Sequence, residues 1–493
     1  MNRNAVTEDA KRQGTTPISR HLLRFMLGNP LTQRVLLKRI EGNLRRVLVE
    51  INSEDRPRRV QEAKLAYMLA LLHGLGRSLR KGFLSRAAQE QILDVFLGQV
   101  VRSDEETQRL ARHLGFEPPL FLVISPTGRC NLRCAGCYAA SDPGRHASLS
   151  RSVFERLLDE KRRLWDSHFT VISGGEPLLW RDDGCDLLDI VGRHPDQYFL
   201  MYTNATLLDD AAAQRLAQLG NLTPALSVEG FETETDARRG PGVYARLLQA
   251  AERLRRHGVP FGISVTPTRR NWEVITSDRF IDFWTEEQGA VYIWSFQYMP
   301  IGRQPSLDLM VPPEARVEML RRTQRLVHER KVFFADFWNS GVSSSGCISA
   351  GRPGGYFYID WNGDITPCVF VPYAVDNIYR LYERGGTISD ILAAPFFQRI
   401  RQWQDDYGYR RPAAEVDNWL CPCAIRDHFD MLHRAAVETG ARPISPEAAA
   451  ALADPGFYEG LTGYARAVDA MTRPIWEAEY AEQAAPEAAR AAS

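Results

Sequence analysis

The spacing of hydrophobic residues changes twice along the chain. Before residue 116, apolar residues recur at helical intervals, and no segment alternates as a strand would. From Pro119 onward, short apolar runs are separated by helical segments, and from about residue 336 glycine and aromatic residues become dense. These patterns predict four regions: a helical N-terminal region at 1–115, an α/β region at 116–335, a cysteine-rich region at 336–435 and a tail at 436–493.

The first region contains a stripe of apolar residues with the period of an α-helix. Its members are Leu31, Val35, Ile40, Leu44, Val47, Leu48 and Ile51. Further helical patterns cover Leu65–Leu75 and Gln89–Val100. We therefore expect several helices before the first strand.

Six short apolar runs in the second region read as buried strands. They are Leu120–Ile124, Phe169–Ile172, Tyr198–Tyr202, Ala225–Val228, Phe261–Val265 and Ala290–Phe296. Helical patterns lie between them, at Val153–Arg163, Asp209–Leu219 and Val243–His257. Alternating strands and helices predict an α/β fold with a parallel sheet, as a partial (β/α)6 TIM-like barrel. Chemistry in such a barrel lies at the carboxyl ends of the strands.

The third region contains the last four cysteines and a predicted hairpin around Asn362–Gly363. The tail begins with a short helical pattern and ends in an Ala/Glu/Pro-rich stretch. That composition is typical of disorder.

Composition sets broad limits on function. The 493 residues contain 61 Lys and Arg against 61 Asp and Glu, so no overall charge favours nucleic acid. The start, Met1–Thr15, is polar, and the longest apolar run, Leu65–Leu72, is too short to span a membrane. Eight unevenly spaced cysteines favour metal ligation in a reducing compartment. We expect a cytoplasmic protein.

Cys130, Cys134 and Cys137 directly follow the first predicted strand. Three thiolates in one loop can ligate a single [4Fe–4S] cluster, and they leave one iron without a protein ligand. Such an iron can bind a cofactor or a substrate. The alternatives are a coincidence of spacing and a zinc site that lacks one ligand.

Two segments resemble the signatures of the radical S-adenosylmethionine (SAM) superfamily. They are Ser125–Tyr138, which contains the three cysteines, and Ser173-Gly-Gly-Glu-Pro177 at the end of the second strand. A third, Leu226–Gly230 followed by Arg238-Arg-Gly240, resembles the branch with a C-terminal cluster domain. The sequence departs from the family at Gly136, where an aromatic residue is usual, and at Glu229, where Asp is common.

The resemblance assigns roles to individual residues. It implies that Cys130, Cys134 and Cys137 are the catalytic cluster ligands. It implies a SAM site formed by Tyr138, Gly174, Gly175, Glu176, Pro177, Thr203, Asn204, Ser227 and Arg239. Glu176 would pair with the SAM ammonium group and Arg239 with its carboxylate. Ser227 would lie near the ribose or the carboxylate.

The resemblance also implies the chemistry. A cluster iron chelates SAM, one electron cleaves it, and the resulting 5′-deoxyadenosyl radical abstracts hydrogen from an unactivated C–H bond. An external low-potential donor of the ferredoxin or flavodoxin type is required.

A second group of cysteines comprises Cys347, Cys368, Cys421 and Cys423. The spacing from Gly363 to Cys368 resembles the opening of SPASM and Twitch auxiliary-cluster domains. Because four cysteines suffice for one cluster, the shorter Twitch-like form with one auxiliary [4Fe–4S] cluster is preferred. The Cys421-Pro-Cys423 spacing is tighter than the family's. The alternative is a structural zinc site with four cysteine ligands.

Several other residues allow two interpretations. Cys185 lies in a predicted helix, Trp180–Ile190, and is expected to be a buried inert thiol. Asp427 and His428 either face the substrate pocket or are structural. Three residues of the last barrel strand, Trp294, Gln297 and Tyr298, either line the substrate cavity or belong to the core.

The substrate is not identified by any motif. The segment from Arg20 to Glu50 contains seven Lys and Arg residues but only two Glu residues. A basic amphipathic helix suits an anionic membrane surface and a lipid or hydrophobic substrate, with the protein peripheral to the inner face of the membrane. The alternative is a solvated helical cap over the barrel.

Two further functions stay open. One is a ribosomal peptide maturase of the SPASM type, against which the purely helical N-terminal pattern counts. The other is a non-catalytic iron–sulfur protein.

Overall fold

The computed structural model describes residues 30–100 and 104–481. Helices precede the first strand, as predicted. They are α1 (Pro30–Arg45, continued by a π-helical segment Arg46–Ile51), α2 (Arg58–Arg80), α3 (Arg86–Gln91, continued by a π-helical segment Ile92–Val100) and α4 (Asp104–Leu114). Arg20, Arg24 and the Ala/Glu/Pro-rich end of the tail, for which we predicted a basic face and disorder, lie outside the described residues.

The core is one ten-stranded sheet. Its strands are β1 (Phe121–Ile124), β2 (Phe169–Ile172), β3 (Tyr198–Thr203), β4 (Leu222–Val228), β5 (Gly262–Val265), β6 (Ile293–Ser295), β7 (Phe334–Asp336), β8 (Tyr356–Ile359), β9 (Asp364–Thr366) and β10 (Asp376–Asn377). Their spatial order is β10-β9-β8-β1-β2-β3-β4-β5-β6-β7. Every neighbouring pair from β8 to β7 is parallel, whereas β9 and β10 are added antiparallel.

The strands are buried on both faces and are therefore nearly uninterrupted apolar runs. All four residues of β5 and of β8 are buried. The helices and 3-10 turns from β1 to β7 are α5 (Arg151–Trp165), a turn at Pro177–Leu179, α6 (Leu187–Arg193), α7 (Asp210–Leu219), α8 (Glu232–Arg239), α9 (Val243–His257), Trp272–Ile275, α10 (Asp278–Asp282, continued by a π-helical segment Phe283–Glu287), a turn at Leu307–Leu309 and α11 (Pro313–His328).

The C-terminal part packs further helices against this sheet. These are a turn at Gly341–Ser344, α12 (Ile378–Glu383), a turn at Asp390–Ala393, α13 (Pro395–Gln404, continued by Asp405–Tyr409), a turn at Ala413–Glu415, α14 (Phe429–Thr439), α15 (Pro446–Ala453) and α16 (Pro455–Glu479). Two small two-stranded sheets pair Arg181–Asp182 with Cys185–Asp186 and Tyr373–Ala374 with Arg442–Pro443.

The α/β prediction is confirmed: all six predicted strands are present and parallel. The hairpin at Asn362–Gly363 is also confirmed, because β8 and β9 pair across a turn in which the Gly363 N–H donates to the Asp360 carbonyl (3.0 Å) at φ +82°. The sequence pattern missed that β7 and β8 lengthen the parallel sheet at either end.

One local prediction is wrong. Cys185 does not lie in a helix but in a two-residue strand before α6. Asp186 caps that helix, because its side chain accepts a hydrogen bond from the Asp189 N–H (2.9 Å). In the part of the chain that the structure describes, no helix is both long enough and apolar enough to cross a bilayer.

Candidate active site

A cavity of about 330 Å³ lies at the carboxyl ends of the parallel strands. Most predicted site residues meet there, because the strand ends share one edge of the sheet. The wall includes Cys130, Cys134, Cys137, Tyr138, Gly174, Gly175, Thr203, Asn204, Ser227, Arg239, Trp294, Gln297 and Tyr298. We call the group Cys130, Cys134 and Cys137 the first centre.

Two arginines donate hydrogen bonds to the backbone of the loop that carries the first centre. The Arg238 guanidinium donates to the Ala135 carbonyl (3.1 Å) and the Gly136 carbonyl (3.4 Å). Arg303 donates to the Cys134 carbonyl (2.9 Å). Satisfying loop carbonyls with charged donors gives the cysteines a fixed backbone. Sequence reasoning missed Arg303, which lies 169 positions from Cys134 along the chain and belongs to no motif.

The Cys130 sulfur has a polar neighbour on the third strand end. The Asn204 side-chain amide donates to it (3.7 Å) and to Asn131 Oδ1 (2.8 Å). Burial raises the pKa of the Cys130 thiol to about 12, so metal binding must displace its proton.

Gly174 and Gly175 pack against the cysteine loop itself. A Cβ on Gly175 would lie 2.1 Å from the Arg129 carbonyl oxygen, and Gly174 has φ +117°. The Gly175 N–H donates to the Thr127 carbonyl (2.9 Å) and the Glu176 N–H to the Arg129 carbonyl (2.8 Å). The glycines are therefore needed for contact between the two motifs, besides any contact with a ligand.

Glu176 and Pro177 differ from expectation, since neither belongs to the cavity wall. The buried Glu176 carboxylate accepts hydrogen bonds from the Thr203 hydroxyl (2.8 Å), the Asn204 N–H (2.8 Å) and the Leu178 N–H (3.2 Å). Burial raises the pKa of Glu176 to about 7, although these hydrogen bonds lower it. In this structure the carboxylate joins the ends of β2 and β3.

Arg239 lies on the cavity wall but already has an acidic partner. Its Nε donates to Glu229 Oε1 (2.9 Å), and Arg238 pairs with the same oxygen (2.5 Å). Glu229 is fully buried, so two guanidinium groups on one carboxylate leave net positive charge beside the cavity.

The unusual glycine at position 136 has a structural cause. Gly136 has φ +59°, and a Cβ there would lie 2.7 Å from Cε2 of Tyr298. The buried Tyr298 ring, which follows β6, fills the space that a side chain at position 136 would need. Tyr138 turns elsewhere, and its hydroxyl lies 2.6 Å from the Ser173 hydroxyl.

Part of the cavity wall is aromatic. Trp294 stacks with Phe296 (6.4 Å between ring centres), and Phe296 contacts Phe370 (5.9 Å). Gln297 is held by Asp336, whose two carboxylate oxygens accept from its Nε2 at 3.1 and 2.9 Å. Burial raises the pKa of Asp336.

A second cavity, of about 460 Å³, is lined by Cys347, Cys368 and Cys423, which we call the auxiliary centre. Helix α2 covers it. The two cavities share a wall formed by Trp294, Phe337, Ile348, Tyr356 and Phe370. The Tyr356 hydroxyl in this wall lies 3.0 Å from the Cys368 sulfur.

Cys421 does not join the auxiliary centre. Its sulfur lies 3.1 Å from the Thr472 hydroxyl of α16, and Cys421 is absent from the wall of the second cavity. The four-cysteine ligand set expected from the sequence is therefore not assembled in this structure.

Asp427 and His428 are structural. Asp427 forms a buried ion pair with Arg316 (2.5 Å). The His428 ring contacts the Cys421 carbonyl (2.9 Å). Neither residue lines the two cavities.

Both centres bring cysteine thiols to the wall of a cavity. Within residues 30–100 and 104–481, no three His, Cys, Asp or Glu side chains are close enough together to hold one metal ion. A zinc site needs its sulfurs about 2.3 Å from one ion, whereas a cluster spreads its ligands over several irons. Thiols converging on a cavity fit the donor set of an iron–sulfur cluster.

Two family profiles match the chain. The Radical SAM superfamily profile matches residues 124–281, and the SPASM profile, described as an iron–sulfur cluster-binding domain, matches residues 347–415.

Three relatives illustrate the range of similar proteins. Mycofactocin maturase MftC of Mycolicibacterium smegmatis is 30% identical over 326 residues, 64% of this chain and 77% of that protein. PqqA peptide cyclase of Granulibacter bethesdensis is 25% identical over 386 residues, 73% of this chain and 99% of that protein. AdoMet-dependent heme synthase of Methanosarcina barkeri is 27% identical over 286 residues, 53% of this chain and 79% of that protein.

The fold and the first centre define an iron–sulfur enzyme with an α/β core. The chain belongs to the radical SAM superfamily and carries a SPASM-type cluster-binding domain. Its cofactors are a [4Fe–4S] cluster with SAM, and auxiliary iron–sulfur binding in the second domain. Such enzymes need a reductant.

Proposed function

We propose that this radical SAM enzyme modifies a peptide. The observation that carries the proposal is the similarity to a mycofactocin maturase across 77% of that protein. The similarity to a peptide cyclase across 99% of its length supports it. The comparisons give no support to the lipid or hydrophobic substrate suggested by the sequence.

We assign SAM binding to the region 116–335 and auxiliary cluster binding to 336–435, between a helical region at 1–115 and a tail at 436–493. Cys130, Cys134 and Cys137 would hold the first cluster. Gly174, Gly175, Thr203, Asn204, Ser227 and Arg239 would surround SAM. Tyr138 would support the site through Ser173, and Glu176 and Pro177 would act by holding the ends of β2 and β3.

When bound, the cluster and SAM would supply radical chemistry directed at an unactivated C–H bond. The protein's own residues would bind SAM and shield the reacting groups. The net positive charge of Arg238 and Arg239 around Glu229 favours the SAM carboxylate. Trp294, Phe296 and Phe370 also line the cavity and would exclude water from the reacting groups. An external donor of the ferredoxin or flavodoxin type would supply electrons.

A winged-helix module contains a small β-sheet as well as helices. Peptide recognition would not use such a module within the described N-terminal residues. Before Phe121, residues 30–100 and 104–120 contain helices and no strand. The peptide would therefore be bound by the barrel, the auxiliary domain or a separate partner.

A tetrapyrrole substrate is the second candidate, because of the 27% identity to a heme synthase. Membrane association is a separate property that can be tested. It would use the exposed basic residues of the N-terminal helix, which are Lys38, Arg39, Arg45 and Arg46.

Substrate-dependent SAM cleavage tests the proposal. Anaerobically reconstituted protein is given SAM and dithionite with three probes: short peptides encoded next to its gene, iron-coproporphyrin III, and vesicles of anionic phospholipid. We expect at least one peptide to increase 5′-deoxyadenosine formation and to change in mass. Stimulation by the porphyrin or the vesicles alone would contradict the proposal. Absence of 5′-deoxyadenosine with every probe would contradict the assigned SAM site.

A further inference from the structure

Tyr356 connects the two cavities. Its side chain belongs to the walls of both, and the residue is buried. Its hydroxyl lies 3.0 Å from the Cys368 sulfur of the auxiliary centre. A cysteine that ligates iron is a thiolate and has no proton of its own. When a cluster is bound, the tyrosine must therefore be the donor of this hydrogen bond.

The position of the Tyr356 side chain is fixed by the backbone and by a ring contact. The Tyr356 N–H donates to the Ile348 carbonyl, and the Tyr356 carbonyl accepts from the Gly351 N–H, both at 2.9 Å. The ring stacks on Phe121 of β1, with 5.0 Å between ring centres and an interplanar angle of 14°. These contacts hold the hydroxyl at Cys368 without the help of a ligand.

Other donors near the auxiliary sulfurs make longer contacts. The Phe370 N–H lies 3.5 Å from the Cys368 sulfur. The Ser349 hydroxyl lies 3.2 Å from the Cys347 sulfur. The Tyr356 contact is shorter than both, and short hydrogen bonds to charged acceptors are the stronger ones. Its loss should therefore have a measurable effect on a bound cluster.

A hydrogen bond to a ligand sulfur changes the reduction potential of an iron–sulfur cluster. One-electron reduction adds negative charge to the cluster and its thiolates, so a donor at the sulfur stabilises the reduced form more than the oxidised form. The effect is larger in a low-dielectric interior. Tyr356 and Cys368 are only 2% and 7% exposed. The hydroxyl is therefore expected to raise the potential.

We propose that Tyr356 is a positioning residue that raises the reduction potential of the auxiliary cluster through its hydrogen bond to the Cys368 sulfur. The inference rests on the assignment of cluster binding to the auxiliary centre, and it does not depend on the identity of the substrate. The only step involved is the transfer of one electron from an external donor to the cluster. Because the Tyr356 side chain also lines the first cavity, the potential is set at the wall that adjoins the SAM site.

Tyr358 provides a matched control on the same strand. Side chains alternate along a strand, so Tyr356 and Tyr358 lie on the same face of β8. Tyr358 is also buried, but its hydroxyl donates to the Ser125 hydroxyl (2.8 Å), and the residue lines neither cavity. Tyr358→Phe therefore removes a buried hydroxyl and leaves the hydrogen bond to Cys368 in place.

Redox titration of full-length, anaerobically reconstituted protein, followed by electron paramagnetic resonance, tests the proposal. The auxiliary signal is the one that persists in Cys134→Ala. In Tyr356→Phe, we expect the equilibrium constant for its reduction to fall about tenfold, a shift of about 59 mV to lower potential, with the iron content unchanged. Tyr358→Phe should leave the potential unchanged. No shift in Tyr356→Phe, or an equal shift in both variants, would overturn the proposal.

A second substitution keeps the test decisive if Tyr356→Phe does not fold, as judged by circular dichroism. A ring-fluorinated tyrosine at position 356 keeps the hydroxyl and makes it more acidic, so that it donates a stronger hydrogen bond. The potential should then rise, opposite to the effect of Tyr356→Phe, and an unchanged or lower potential would overturn the proposal. Absence of any auxiliary signal in wild type would overturn it together with the assigned cluster site. Failure to modify a peptide would contradict the proposed function alone.

Discussion

The two cysteine centres are built in opposite ways. The first centre lies in one loop between Cys130 and Cys137, and arginines from two other segments fasten its carbonyls. The auxiliary centre is assembled from three segments around the β8–β9 hairpin. A ligand set that is local in sequence can be read from its spacing. A ligand set assembled by tertiary structure needs the fold, as the outlying Cys421 illustrates.

Removing a cysteine from each centre should separate their roles most strongly. Cys134→Ala should abolish 5′-deoxyadenosine formation and remove about four irons per chain, while the auxiliary signal persists. Cys368→Ala should keep SAM cleavage but stop product formation. Chromatography of the nucleoside and iron analysis measure both. Retained cleavage in Cys134→Ala would refute the assignment of the first centre.

The hydrogen bond from Arg303 to the loop of the first centre can be tested by substitution. Arg303→Ala removes the donor to the Cys134 carbonyl, and outer contacts of this kind change metal affinity by about 10–100-fold. We expect faster loss of the first cluster to a chelator, with the auxiliary cluster unchanged. Arg133→Ala, an exposed arginine in the same loop, is the control. Equal loss in both variants would mean that Arg303 does not support the loop.

A smaller effect is expected where Tyr298 fills the space beside Gly136. Gly136→Ala should lower the free energy of unfolding by about 3 kcal/mol, since a clash adds to the cost of a positive φ. Gly440→Ala has a similar φ, +67°, but open space around its Cβ, and should cost about 1 kcal/mol.

Tyr298→Ala should reduce the cost of Gly136→Ala to about that of Gly440→Ala. Chemical denaturation of the four variants measures the coupling. Purely additive effects would show that the ring does not occupy this space.

The smallest effect concerns pH. Burial penalises only the charged form of Glu176, whose pKa is raised from 4.5 to about 7. Its contribution to stability is thus fully present below pH 4.5 and is lost as the pH rises through about 7. Between about pH 5 and about pH 7.5, wild type should lose about 1–2 kcal/mol more than Glu176→Gln. Thermal unfolding at both pH values measures this, and parallel curves would contradict it.

The sequence was sufficient where the signal was local. Six strands and the hairpin at Gly363 followed from short apolar runs and turn residues. The resemblance to the radical SAM superfamily implied the strand-end residues Thr203, Asn204 and Ser227, which meet in one cavity. The resemblance placed Gly174 and Gly175 at the SAM site. The structure adds that Gly175 approaches the Arg129 carbonyl of the cysteine loop.

The remainder depended on contacts between distant residues. Arg303 carries no motif, and the position of Glu176 behind the cavity wall is set by hydrogen bonds from β3. From the spacing alone, Cys421 and Cys423 were equally good candidate ligands. The structure distinguishes them, because Cys421 packs against α16 whereas Cys423 lines the second cavity. Strand β7 is three residues long, too short to be recognised by its pattern.

The pairing of β8 with β1 couples the two halves of the enzyme. Phe121–Ile124 is matched residue by residue with Tyr356–Ile359. A fragment that ended after β7 would expose the apolar β1 as an unpaired edge, a template for association with other unfolded or truncated chains. The auxiliary segment therefore protects the barrel against aggregation as well as binding its own cluster, and the barrel is not expected to stay soluble when expressed alone.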